Sequence, residues 1–153
     1  MSKPLQAIIV GAGHRAQTYA NYALSHPEQL QIVGVADPTP LRRQQTAAQF
    51  NLRPEQCYES AEALAALPQC ADFIINGTMD HQHVPTAIPL LERGYHMLLE
   101  KPFATSENEL PIFLDRETGQ DRDPDTHRKY VQLHRRKRRT WAERITEKEE
   151  VTP

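Results

Sequence analysis

Ala7-Ile8-Ile9-Val10-Gly11-Ala12-Gly13-His14-Arg15-Ala16 decides the fold. The run Ala7–Val10 is uninterrupted and apolar, as a strand buried on both faces requires. A glycine turn follows directly, and a helical pattern begins near His14. A second apolar run, Gln31-Ile32-Val33-Gly34-Val35-Ala36, then ends in an acid, Asp37. Strand, G-x-G-x-x-G/A turn, helix, strand and acid, the acid about 20 residues on, together form the fingerprint of a dinucleotide cradle. Gly11 permits the tight turn, Gly13 lets the backbone approach a pyrophosphate, and Ala16 is small enough for close helix–strand packing. The helix start points free N–H groups and its positive dipole end at the phosphates. A carboxylate at Asp37 accepts from ribose hydroxyls and repels a 2′-phosphate, which favours NAD. Arg42 and Arg43 stand within reach of such a phosphate, so NADP stays open.

The rest of the first 110 residues alternates strands and helices. Strands are predicted at Leu5–Val10, Leu30–Ala36, around Gln56–Tyr58, at Asp72–Asn76 and at His96–Leu99. A helix over His14–Ser25 carries Ala16, Tyr19, Ala20, Ala23 and Leu24 on one stripe. Thr39-Pro40 reads as an N-cap and first helical position, opening a helix to about Phe50. Ser60 caps a third helix with Ala61, Leu64 and Leu67 inward. A fourth covers His83–Arg93, with Val84, Ala87, Ile88 and Leu91 inward, kinked by Pro89 and capped by Gly94. Such alternation implies an α/β fold with a doubly wound parallel sheet, Rossmann-like, whose ligands bind at the C-terminal strand ends. Those ends are Gly11–His14, Asp37–Pro38, Gly77–His81 and Glu100–Pro102.

Composition narrows the class. The chain has 153 residues and net charge −2, which argues against nucleic-acid binding by the chain as a whole. No apolar stretch approaches the ~20 residues that span a bilayer. Met1-Ser2-Lys3-Pro4 leads straight into the first strand, so no signal peptide is expected and the chain reads as cytoplasmic. Cys57 and Cys70 have no metal or redox spacing and read as reduced thiols. His81 and His83 have the spacing of strand neighbours, but no third ligand joins them, so no metal site is expected.

Four strings resemble the N-terminal half of the Gfo/Idh/MocA family of oxidoreductases, the relatives of glucose–fructose oxidoreductase and inositol dehydrogenase. They are Gly11–Ala16, Val35-Ala36-Asp37-Pro38, Asn76-Gly77-Thr78-Met79-Asp80-His81-Gln82-His83 and Leu98-Leu99-Glu100-Lys101-Pro102-Phe103. The resemblance covers residues 5 to about 110. It implies a cofactor site of Gly11, Ala12, Gly13, His14, Arg15, Asp37, Thr78, Asp80, His81 and Glu100. It implies that the Glu-Lys-Pro segment lies beside the nicotinamide, with Lys101 as the catalytic residue in substrate binding or proton transfer, and that Pro102 follows a cis peptide. It implies a sugar or polyol as substrate of the full-length enzymes. Met79 stands where the family usually has proline, and Ala16 where it usually has glycine.

Residues 111–153 change character. They carry 11 basic and 9 acidic residues, net +2, against 7 and 11, net −4, before them. Ser106 with Glu109 resembles a capping box, but Pro111 falls in the first turns that follow. Asp115–Asp125 is polar and aperiodic, so the tail reads as disordered or loosely helical. Arg135-Arg136-Lys137-Arg138-Arg139 reads as a solvated face in preference to a nucleic-acid patch. The substrate domain of the family is not encoded after residue 110, and a shifted reading frame would explain the abrupt change. The other two frames of the gene test that idea, which fails if neither encodes such a domain. The expectation is a cofactor half inactive alone. The alternatives are a nucleotide-binding module or a non-functional remnant. In each case an exposed sheet surface is open to self-association.

Overall fold

The computed structural model describes residues 3–102 and 105. The expected capping box at Ser106, the polar run, the arginine cluster and the whole tail 111–153 lie outside the described residues. Five strands form one parallel sheet: β1 (Leu5–Val10), β2 (Leu30–Ala36), β3 (Cys57–Tyr58), β4 (Phe73–Asn76) and β5 (His96–Leu99). Their order is β3-β2-β1-β4-β5. β1 therefore lies between β2 and β4, and the strand order reverses there. Ile9 pairs with Val35 on one side and with Ile75 on the other. The β1–β2 register slips between Ala7 and Ile8, leaving Val33 as a bulge.

Both faces are covered, which is why β1 is apolar without alternation. Ala7 and Ile9 pack with Ala16, Ala20, Ala23, Val35 and Ile75. Ile8 and Val10 pack with Ala61, Leu64, Ile74, Leu90 and Tyr95 on the other face. The first face belongs to α1 (His14–Ala20) and α2 (Tyr22–Ser25), the second to α4 (Ala61–Ala65) and α5 (His83–Glu92). α3 (Pro40–Phe50) connects β2 towards β3.

Local chemistry explains where the elements stop, and where they depart from expectation. The helix expected over 14–25 is two pieces, divided at Asn21, whose side chain accepts from Gln49 on α3 at 2.6 Å. Only the alanines of its expected stripe are buried; Tyr19 and Leu24 are 40% and 54% exposed. Alanines suffice because the helix backbone lies close to the sheet. Thr39 does not cap α3 with its side chain; its own N–H donates to Asp37 Oδ1 at 2.8 Å. Ser60 does cap α4, accepting from Ala63 N at 3.1 Å. Leu67 lies beyond that helix and is 43% exposed, not inward as expected. α5 runs through Pro89, which withholds an N–H from the Pro85 carbonyl, and buries Leu90 rather than Ile88. No helix of the described residues is long and apolar enough to cross a membrane.

Candidate functional site

The C-terminal ends of β1, β2, β4 and β5 meet in a connected arc. Gly11 leaves β1 with φ +74°, and its N–H donates to Ala36 O at 2.8 Å. A Cβ there would stand 2.7 Å from the backbone N of Thr78, so only glycine fits. Gly13 faces the opposite situation: its nearest atom, Gly77 O, would lie 3.9 Å from a Cβ, which leaves its backbone open on that side. The first intrahelical bond of α1 runs from Gln17 N to Gly13 O, so the amides of His14, Arg15 and Ala16 precede it. Ala16 and Gly77 share one small space, where a Cβ on Gly77 would stand 2.8 Å from that of Ala16. The room that a third glycine provides in the turn is thus supplied from Gly77 across the contact.

Asp37 is the other end of the arc. It is 2% exposed. Its Oδ2 accepts from Ala12 N at 2.8 Å, and Oδ1 from Thr39 N. Arg43 donates to the Asp37 carbonyl at 2.5 Å, and the Arg42 guanidinium lies 3.8 Å from Oδ2. The carboxylate therefore sets the shape of the glycine turn from within the protein.

Glu100 ends β5 and joins it to α1. The Tyr19 hydroxyl donates to Glu100 Oε1, and Arg15 lies 3.8 Å from the same oxygen. Glu100 Oε2 accepts from Lys101 N at 3.1 Å. The Tyr19 bond, against the opposing effect of burial, holds the Glu100 carboxyl below its ordinary range, helped by the Lys101 amide and the charges of Arg15 and Lys101. The same bond pushes the Tyr19 phenol up. The Lys101–Pro102 peptide is cis, as the resemblance implies, and the Lys101 side chain is exposed.

Asn76, buried at the end of β4, shapes the loop between these ends. Its Oδ1 accepts from the N–H and the hydroxyl of Thr78, and its Nδ2 donates to Thr86 Oγ1 at 3.0 Å. His83 is buried as well, with Nδ1 2.6 Å from Pro102 O and Nε2 3.0 Å from Thr78 O. The pair His81 and His83 is not on a strand: His81 sits exposed in a single 3₁₀ turn, Asp80–Gln82, and His83 opens α5. Among the described residues no three His, Cys, Asp or Glu side chains are placed to hold a metal.

Of the expected site residues, Gly11, Ala12, Gly13, Arg15, Asp37, Thr78, Glu100 and Lys101 are joined by these contacts. His14, Asp80 and His81 are exposed at its margin, with no side-chain hydrogen bond to the arc. The sequence alone places none of Tyr19, Asn76 and His83 among the cofactor or catalytic residues. Asn76 and His83 carried a signal, since both stand in the string that bears the resemblance; Tyr19 carried none.

The family described as "Oxidoreductase family, NAD-binding Rossmann fold" matches residues 5–121. The chain belongs to the Gfo/Idh/MocA family. The NAD-binding protein from Listeria innocua is 32% identical, with TM-score 0.61, over 74% of this chain and 32% of its own. The WlbA dehydrogenase from Chromobacterium violaceum, solved with NADH and UDP-GlcNAcA, is 22% identical with TM-score 0.68, over 76% and 32%. The myo-inositol dehydrogenase from Lactobacillus casei, solved with NAD(H) and myo-inositol, is 18% identical with TM-score 0.70, over 78% and 35%. At the lower two identities the likeness is one of fold. The chain spans about a third of the length of each. No curated protein matches the sequence. This Gfo/Idh/MocA chain thus carries the NAD-binding Rossmann domain of the family, and its family match runs past the compositional boundary at residue 110.

Proposed function

We propose that the arc is the cofactor site of an NAD-dependent oxidoreductase acting on a sugar or polyol hydroxyl, and that this polypeptide is inactive alone. The observation that carries the reading is the open backbone at Gly13 beside the Asp37-braced turn. The backbone of Gly11–Arg15 would hold the pyrophosphate, with Asp37 beside the adenosine ribose. Thr78, Asp80, His81 and Glu100 would line the cleft towards the nicotinamide. When bound, the nicotinamide accepts or supplies the hydride. Lys101, exposed at the strand end, polarises the substrate hydroxyl or takes its proton.

NAD is favoured over NADP by the engagement of both nearby guanidiniums. Arg43 donates to the Asp37 carbonyl, and Arg42 sits against its carboxylate. Residues 1–110 supply the cofactor half and 111–153 a polar tail. Contacts missing on the substrate side remove rate as well as affinity. The β5 side of the sheet, where Leu98 is 39% exposed, is the surface for self-association.

NADH fluorescence titration of the purified chain, beside an assay with sugars and polyols, tests this. Binding without turnover is expected. Robust turnover overturns the inactivity, and no binding favours a non-functional remnant. Binding of NADPH in preference to NADH overturns the cofactor choice.

A further inference from the structure

The His83 ring stands between two carbonyls from distant parts of the chain. Nδ1 is 2.6 Å from Pro102 O, and Nε2 is 3.0 Å from Thr78 O. At 1% exposure, its hydrogen bonding is met within the protein. Both partners accept only. The neutral ring has one N–H and gives it to one carbonyl; the imidazolium gives one to each. The ring's origin is fixed, because α5 buries Val84, Ala87, Leu90 and Leu91 along its length. Lys101 and Pro102 are both exposed, and among the described residues the turn's other side-chain bond is from Lys101 N to Glu100.

We infer that His83 is a positioning residue. It ties the Lys101–Pro102 turn to the Thr78 loop and so sets where Lys101 stands at the nicotinamide end of the cleft. The inference rests on the cofactor reading proposed above. His83 acts through the turn, since its buried ring is occupied on both sides by backbone.

Two ligands separate this role from a structural one. ADP-ribose carries the adenosine and pyrophosphate of NADH without the nicotinamide. The full chain is titrated with NADH by fluorescence and with ADP-ribose by competition. Wild type should bind NADH more tightly. His83→Leu should weaken NADH about five- to ten-fold, the scale of one lost hydrogen bond, and change ADP-ribose less than two-fold. His83→Asn places an amide nitrogen near the Nδ1 position and should restore NADH binding. His83→Gln places one near Nε2, keeps only the Thr78 bond, and should not. Equal losses for both ligands, or rescue by Gln as good as by Asn, overturn the inference. Equal wild-type affinity for the two ligands also overturns it, because no nicotinamide-end contribution then exists to position. Wild type that binds neither ligand defeats the cofactor reading itself, and this inference with it.

Discussion

Tyr19 on α1 donates its hydroxyl to Glu100 at the end of β5, across 81 positions of sequence. The bond fastens the helix that follows the glycine turn to the strand end that carries Lys101. Tyr19→Phe should cost about 0.5–1 kcal/mol, less than a buried hydrogen bond to a charged partner because Tyr19 is 40% exposed. The cost should depend on pH at both extremes. Glu100 has a lowered value in the fold, so its contribution is full above the ordinary glutamate value of 4.5 and fades as pH falls through the lowered one. Tyr19 has a raised value, so its contribution is full below 10.0 and fades as pH rises through the raised one. The difference in Tm between wild type and Tyr19→Phe should therefore be widest near neutrality and narrow towards either extreme. A difference constant across the whole range refutes the pairing.

Ala16 and Gly77 divide one small volume, so their substitutions should not add. Gly77→Ala alone puts a Cβ 2.8 Å from Ala16 Cβ and 3.0 Å from Ala16 N, and should cost about 1–3 kcal/mol from overpacking. Ala16→Gly alone should cost about 1 kcal/mol from helix propensity. The double variant should be less destabilised than the two single losses combined. Urea denaturation of the four proteins measures the coupling. Strict additivity shows that the two positions do not share that volume.

Asp37 should matter to stability before any ligand arrives. Asp37→Ala leaves the amides of Ala12 and Thr39 without their acceptor and should cost about 1–3 kcal/mol. Asp37→Asn keeps the shape but turns an NH₂ toward one of those donors, so it should rescue only in part. Denaturation in the absence of nucleotide reads this directly. A loss confined to nucleotide affinity, with stability intact, shows that the carboxylate serves the ligand alone.

The phenols of Tyr58 and Tyr95 are pushed up to about 12, chiefly by burial and then by the hydrogen bond to Cys70. Their folded values exceed the ordinary 10.0, so the stability they contribute is full below pH 10 and lost as pH rises towards 12. Phenolate absorbance should show both remaining neutral in the folded chain at pH 11. Cys70→Ala should lower both midpoints. Titration of every tyrosine near 10 in the folded protein contradicts this.

The strands were legible because their causes are local. Ala7–Val10 and Phe73–Asn76 lie inside the sheet, and burial on both faces leaves an uninterrupted apolar signature. The turn was legible for the same reason: Gly11 must take a positive φ wherever the partners lie. The contacts that close the site were not legible. Tyr19 has the period of a core residue, yet its hydroxyl meets Glu100, 81 positions away in the chain. The residue type at Asp37 points to a ribose, but not to the two backbone amides, Ala12 N and Thr39 N, that its oxygens also accept from. Thr39 looked like a cap by residue type, but Asp37 two positions earlier takes its N–H. The ring of His83 could be interpreted only once Pro102 and Thr78 were seen on either side.

The order β3-β2-β1-β4-β5 places the first strand to be synthesised at the middle. β2 is the next strand after β1 in the chain, whereas Phe73–Asn76, which covers the other edge of β1, comes only after β3 and α4. The sheet extends to both sides of the segment bearing the glycine turn. The cradle is therefore complete only when its last wall, Glu100, has joined the end of β5 to α1. Such closure is non-local and slow relative to helix formation. Without β4, β1 is an apolar strand with one open edge, the feature most open to pairing with a neighbouring chain.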